Sequence, residues 1–461
     1  MRPASRDDHE RSLLSGPAER PPDPRDRTLT LRGATVLGVG SMIGAGIFAL
    51  LGEAGAVAGA AVWISFLVGG AVAGLLGYVC ARLGMRYPSS GGLVTYLIEG
   101  FGYGRLVGIA AWLGYISAIV IVTAMVAVSF GGYATSLFIG EHASSAWHHV
   151  FITAMLLAML GINLTGTKVV ANAQSLIVLG VLAVFAVFVC VTIPNMDTSL
   201  LAFSGYPAWS KIISSVALTF FAYLGFNVIT FTGGDIIDPQ KNIPRAIYLS
   251  IGIAAVTYVL IAIGVFGTLT VAAVIGYGET AIAEAARPTL GDAGFTVMAI
   301  AALLSTAGCT NATLYASSNL TNMLADYGLF PEFFGARSRL GAKSGLIITT
   351  VLVLVIANLV NLSAIASVGS AVALVIFLLV GIAGYRRRRD TGSNPGVVLA
   401  TIALTGIVLS FFAVDTARNA PETFGAIVAI GLISVILDAV CRRGGPTSTT
   451  RSEPRTELLT G

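Results

Sequence analysis

Apolar residues run along this chain in stretches long enough to cross roughly 30 Å of hydrocarbon, separated by short polar segments rich in Gly, Pro and Arg. Twelve such runs stand out: residues 35–57, 60–83, 106–138, 150–164 and 169–193, then 212–232, 246–269, 295–324, 346–360, 365–385, 397–414 and 424–440. An even number places both termini on one side of the membrane. Residues 86–102 form a turn and a short amphipathic stretch, too short to cross, which reads as a re-entrant or surface helix. The polar segment 235–247 carries two prolines, and Pro244 suits the first position of the next helix, where no hydrogen bond is lost.

Two of the runs are irregular at their centres. Gly38, Gly40, Gly44 and Gly46 interrupt the first, each costing a helix interior roughly 0.8 to 1 kcal/mol relative to alanine. The sixth, from Phe220 to Gly234, carries Gly225 and Asn227 well inside it and Gly233 and Gly234 at its end. Freed peptide groups are tolerated at membrane depth only where they line a protein-enclosed cavity. Two weakened segments in matching positions point to a site built from discontinuous helices. The five-helix offset is odd, so the second copy is inverted relative to the first. The organisation expected is a tail at 1–32, repeats at 33–193 and 194–385, two further helices at 386–441 and a tail at 442–461. Another reading stays open for individual residues: Gly40 and Gly44 have the spacing of closely packed membrane helices, and packing or an aromatic belt suits any one of Phe220, Phe221 and Tyr223.

Charge orients the chain. Of the 27 lysines and arginines, 24 fall on the side of the termini and only Lys211, Arg287 and Arg418 on the other. Basic loops stay inside, so both termini are expected in the cytoplasm, with the chain multi-pass in the cell (plasma) membrane. The net charge of +4 follows this distribution and indicates no nucleic-acid partner.

The whole composition fits a lipid-embedded protein: 55% hydrophobic, 11% charged, mean hydropathy +0.85. Cys80, Cys190, Cys309 and Cys441 are scattered singly, which suggests neither a disulfide framework nor a zinc site. His9, His142, His148 and His149 lie in a terminus or in a loop and its helix edge. Intramembrane enzymes need a Ser-His pair, paired acids or a metal cluster at depth, and a channel needs a polar filter or charge ring. Neither pattern is present, and no cofactor is implied.

An interrupted first helix would present free N–H groups and a positive dipole end from its outer half, and free carbonyls from its inner half. An anion is favoured at the first and a cation at the second, each by about 0.3 to 1 kcal/mol. An α-amino acid, with carboxylate and ammonium on one carbon, satisfies both. The candidate lining is Ser41, Met42, Ile43, Gly44, Ala45 and Gly46 with Phe220, Phe221, Ala222, Tyr223, Leu224 and Gly225, none of it charged. A neutral substrate is expected.

The sequence resembles the amino acid-polyamine-organocation superfamily of permeases. The resemblance rests on Gly38-Val-Gly-Ser-Met-Ile-Gly-Ala-Gly-Ile-Phe48, Arg86-Tyr-Pro-Ser-Ser-Gly-Gly92, Phe221-Ala-Tyr-Leu-Gly-Phe226, Asp238-Pro-Gln-Lys-Asn-Ile-Pro-Arg-Ala-Ile247 and Leu324-Ala-Asp-Tyr-Gly-Leu-Phe-Pro331. It implies an all-α polytopic membrane protein with the leucine-transporter fold: 12 transmembrane helices, a 5+5 inverted repeat plus two C-terminal helices, working by alternating access. By the same resemblance, backbone near Gly44, Ala45 and Gly46 would take the carboxylate, and carbonyls near Ile43 and in 220–223 the ammonium.

One departure concerns energy coupling. Proton-coupled relatives carry a lysine inside the fifth helix, and the corresponding position here is Val181. Lys168 lies near the cytoplasmic end, where it can snorkel. Ser305 and Thr306, with Asn311, could contribute oxygens to a co-transported ion such as sodium, although hydroxyls in membrane helices commonly bond their own backbone. Exchange of one amino acid for another, or a permease-like receptor that transports nothing, stays open beside symport.

Overall fold

The computed structural model describes residues 27–89, 91–140, 144–165, 170–336 and 344–443. Most of both predicted tails, together with Lys168, Arg337, Arg339 and Lys343, lies outside them. Among the described residues every extended element is helical, apart from one isolated parallel bridge between Leu29 and Ile236. Ten helices among the described residues are long and apolar enough to cross a membrane, which makes this a multi-pass membrane protein.

The first apolar run is divided into α1 (Leu31–Ala45) and α2 (Ile47–Ala58), and a single helical turn leads into α3 (Val62–Arg86). Thr30 caps α1, its side-chain oxygen accepting from the Gly33 N–H at 3.2 Å. The amphipathic stretch forms α4 (Gly92–Phe101), with Leu93, Val94, Tyr96 and Leu97 buried. Arg387 donates to the Glu99 carbonyl at 2.6 Å, and cations at a helix C-terminus satisfy carbonyls that no intrahelical partner reaches. This contact places α4 on the face that also carries Arg386 to Arg389, called here the basic face.

The third run is α5 (Arg105–Phe138), which contains a π-helical segment at Ile116–Ile121. Next come α6 (Ser145–Thr165) and α7 (Val170–Thr192). The sixth run divides into α8 (Trp209–Ala222), a 3-10 turn at Leu224–Phe226 and α9 (Asn227–Phe231). Then α10 spans Pro239–Phe266 and a short α11 spans Val271–Tyr277. The start of α10 differs from the sequence expectation: Pro239 takes the first turn, behind Asp238 at φ +47°, and Pro244 sits inside the helix. Pro239 fills the position that needs no N–H donor, whereas Pro244, one turn further in, gives up an intrahelical hydrogen bond.

The next helix, α12 (Ala281–Asp326), bends at Gly291, whose φ of +65° suits only a residue without a Cβ. It ends in a Schellman arrangement: Gly328 N–H reaches the Ala325 carbonyl and Leu329 N–H the Leu324 carbonyl, both at 2.9 Å. The chain closes with α13 (Ser344–Leu359), α14 (Leu362–Arg386), α15 (Pro395–Asn419) and α16 (Pro421–Arg443). The α10 helix packs on α3 and α1, α12 packs on α1, α5 and α7, and α14 packs on α8, α15 and α4. The broken helices lie inside this shell, and the side chains of Met42, Ile43, Ile47, Phe48, Phe220, Phe221, Ala222 and Tyr223 around their interruptions are buried.

Candidate functional site

The first interruption is one residue wide. Gly46 alone separates α1 from α2, at φ −93° and ψ −79°, with its N–H still bonded to the Met42 carbonyl at 2.7 Å. The interruption is therefore centred on Gly46, the last of the four glycines Gly38, Gly40, Gly44 and Gly46. The second interruption is wider: Tyr223, at φ −88° and ψ −5°, ends α8, and the helix is not regular again until Asn227.

The two interruptions touch. A Cβ on Gly225 would meet the Met42 nitrogen and come within 2.5 Å of the Ser41 carbonyl carbon. A Cβ on Gly46 would stand 2.6 Å from the Ala222 carbonyl oxygen and 2.5 Å from the Tyr258 hydroxyl. Gly44 faces the other way, where a Cβ would lie 2.6 Å from the Ser305 carbonyl oxygen and 2.5 Å from the Cys309 Cβ. Glycine at these three positions lets α1 reach the α8–α9 link on one side and α12 on the other.

The structure brings most of the sequence candidates together. Ser41, Met42, Ile43, Gly44 and Gly46 are buried, as are Phe220, Phe221, Ala222, Tyr223 and Leu224, while Gly225 is partly buried at the contact with α1. Their side chains do not all converge. Tyr223 donates its hydroxyl to the Phe66 carbonyl of α3 at 2.9 Å, and Phe220 packs edge-on against Phe377 of α14. Phe221 fills the notch at Gly369 of α14 beside Ile121, next to the point where Ser117, in the π-helical segment, donates to the Gly369 carbonyl at 3.1 Å.

The ion candidates lie on α12 and α7, two helices that pack against α1. Thr306 donates its hydroxyl to the Ala302 carbonyl of its own helix at 2.7 Å, and Val181 is buried on α7, which packs against α1 and α12. Ser305 meets α1 through its backbone carbonyl. No group of three or more His, Cys, Asp or Glu side chains among the described residues is arranged to hold a metal.

Three residues at the site escape sequence reasoning. Tyr258 of α10, fully buried, donates to the Ala222 carbonyl at 3.2 Å, satisfying an acceptor beside the second interruption. Cys309 approaches the Ser41 carbonyl with its Sγ at 3.7 Å. Asn227 lines a narrow apolar hollow with Leu93, Tyr115, Leu224 and Phe377, on the basic-face side of the breaks, and its buried amide oxygen has no hydrogen-bond partner. Only the position of Asn227 inside an apolar run was visible beforehand. Tyr258→Phe should destabilise the protein by roughly 1 to 3 kcal/mol, because the Ala222 carbonyl is left buried without a donor. Thermal unfolding of the purified variant measures this, and an unchanged midpoint removes Tyr258 from the support of the break.

A permease architecture with two touching, interrupted helices agrees with the comparisons. Residues 29–434 match the amino acid permease family. The inner membrane transport protein YbaT of Escherichia coli is 30% identical over 84% of this chain and 90% of its own length. The methylthioribose transporter of Bacillus subtilis is 27% identical over 67% of this chain and 69% of its own. Asc-type amino acid transporter 1 of Mus musculus is 27% identical over 67% and 60% respectively. With a match that runs from two residues before α1 into α16, the chain belongs to the amino acid permease family.

Proposed function

We propose that this protein carries amino acids, neutral ones in particular, across the cytoplasmic membrane by alternating access. Its plan is twelve spans, with inverted five-helix repeats at 33–193 and 194–385 and both termini in the cytoplasm, so the basic face is the inner one. The observation that carries this reading is the contact of Gly225 with Ser41 and Met42, which sets two helix interruptions against each other at the centre of the shell. Peptide groups near Gly44, Ala45 and Gly46 take the substrate carboxylate, and carbonyls near Ile43 and in 220–223 take its ammonium. The stretches 41–46 and 220–225 contain no ionisable side chain other than the Tyr223 phenol, so a charged substrate side chain would be buried without a counter-ion.

A specific observation favours exchange over sodium symport: a thiol, a poor sodium ligand, faces the Ser41 carbonyl. Reconstituted counterflow tests the whole reading, run with a panel of amino acids and with a thioether sugar, with and without sodium and pH gradients. Neutral amino acids should outcompete arginine and glutamate by at least about tenfold, equivalent to roughly 1.4 kcal/mol. Equal inhibition by lysine or putrescine defeats the neutral-substrate assignment. Binding without flux for every compound identifies a receptor instead.

A further inference from the structure

The face opposite the basic one holds a cluster of ionisable groups that the substrate reading leaves unused. Glu53 projects from α2 two turns beyond the Gly46 interruption. Glu279 lies in the Gly278–Thr280 turn that follows α11. Their backbones are in contact, since a Cβ on Gly52 would stand 2.7 Å from the Gly278 carbonyl oxygen, and the two carboxylates are within electrostatic reach of each other. Thus α2 and the α11 turn form a seam over the outer end of the first broken helix, with an acid on each lip.

The surroundings give this pair little compensating positive charge. Glu53 has the Ser363 hydroxyl at the start of α14. From α5, Gly132 leaves room that the Glu279 carboxylate fills, and the neighbouring Tyr133 is fully buried with a hydroxyl that has no hydrogen-bond partner, within reach of Glu279 and Glu284. From α6, His148 Nδ1 lies 4.0 Å from Glu279, while His149 bonds to Asn358 of α13. Arg287 is held by Glu284 at 3.1 Å and Asp292 at 3.2 Å.

We propose that Glu53 and Glu279, with His148, form a proton-binding site that latches the outer mouth. With both acids ionised the lips repel. One proton from the external medium lets one carboxyl donate to the other, or places a positive imidazolium beside Glu279, and either event draws α2 and the α11 turn together. The unpartnered Tyr133 hydroxyl supplies a donor to the closed pair. Acidification outside therefore favours the closed mouth, and alkalinisation releases the proton and opens it. The proposal takes only its inside-outside orientation from the carrier reading.

The test uses the full chain in proteoliposomes, with neutral amino acid counterflow measured against external pH from about 5 to 8, the range of histidine and perturbed carboxylates. Apparent affinity for external substrate should weaken by about tenfold on acidification, the change that one pKa unit of coupling gives. Glu279→Gln, which imitates the protonated acid, should hold the weak-affinity value at every pH, and Glu53→Gln should do the same. In parallel, hydrogen exchange of Ile47–Ala58 and Val271–Thr280 without substrate, corrected for intrinsic pH dependence, should slow on acidification in the natural protein only. A flat natural profile, or variants that keep its slope, overturns the latch. Should no compound show counterflow, the carrier reading fails by itself and the exchange measurement alone decides the proton site.

Discussion

Gly225→Val should reduce transport by about a hundredfold while the protein still folds. The valine Cβ would fall on the backbone of Ser41 and Met42, and backbone cannot swing aside as the end of a flexible side chain can. The α8–α9 link and α1 must then separate. Over-packing of this kind costs typically about 1 to 3 kcal/mol of stability, whereas a displacement of roughly 1 Å between groups that must hold one ligand can cost about a hundredfold in rate. The disparity between the two losses is the informative quantity. Gly252→Ala is the control, since a Cβ there has nothing within 4 Å; it should leave transport unchanged and stabilise its helix by at most about 1 kcal/mol. Counterflow and thermal unfolding on the same preparations provide the comparison. Normal flux through Gly225→Val shows that this contact is no part of the pathway.

The largest stability loss should come from Phe330→Ala. This ring stacks on Trp112 with centroids 3.8 Å apart and an interplanar angle of 14°, and it meets Tyr115 and Phe334 edge-on. It is buried, and the turn after α12 presents it to the basic-face end of α5. Truncating a buried phenylalanine costs roughly 3 to 5 kcal/mol through lost burial and the cavity left behind, and here a stacked aromatic pair is lost as well. Phe330→Leu keeps much of the volume and should recover more than half of the loss. Equal unfolding midpoints for Phe330→Ala and the natural protein would show that the turn is not anchored through this ring.

Much of the architecture is legible in the sequence because lipid imposes simple demands. Long apolar runs appear as helices, the glycine-rich first run divides, and the sixth divides beside Gly225. The stop of α12 is also carried locally, by Gly328 and Pro331 after Asp326. The exact hinge of the first run is less legible. Gly38, Gly40 and Gly44 remain helical, the missing side chains of Gly38 and Gly44 serving close approach to Ile229, Ser250 and Cys309, and only Gly46 serves as the hinge. One residue type answers two different needs, and the sequence does not say which.

Side-chain direction was hidden for a related reason. Phe220, Phe221 and Tyr223 sit at the second interruption, yet they point toward α14, toward the α5–α14 junction and toward α3 respectively. Tyr258 reaches the Ala222 carbonyl from 36 residues further on, and Glu53 meets the Glu279 turn from more than two hundred residues away. Periodicity describes a helix face; it says nothing about which distant group completes that face.

The short parallel bridge at the start of the chain has a mechanical consequence. Leu29 N–H donates to the Asp235 carbonyl at 2.9 Å, and Ile237 N–H donates to the Leu29 carbonyl at 3.0 Å. The strap joins a point two residues ahead of α1 to a point a few residues past α9, so the basic-face arms of both fractured rods share one splice. Any rearrangement that uncovers the hollow around Asn227 either swings those arms as a single lever or first unpicks the splice, at about 0.5 to 1.5 kcal/mol per hydrogen bond.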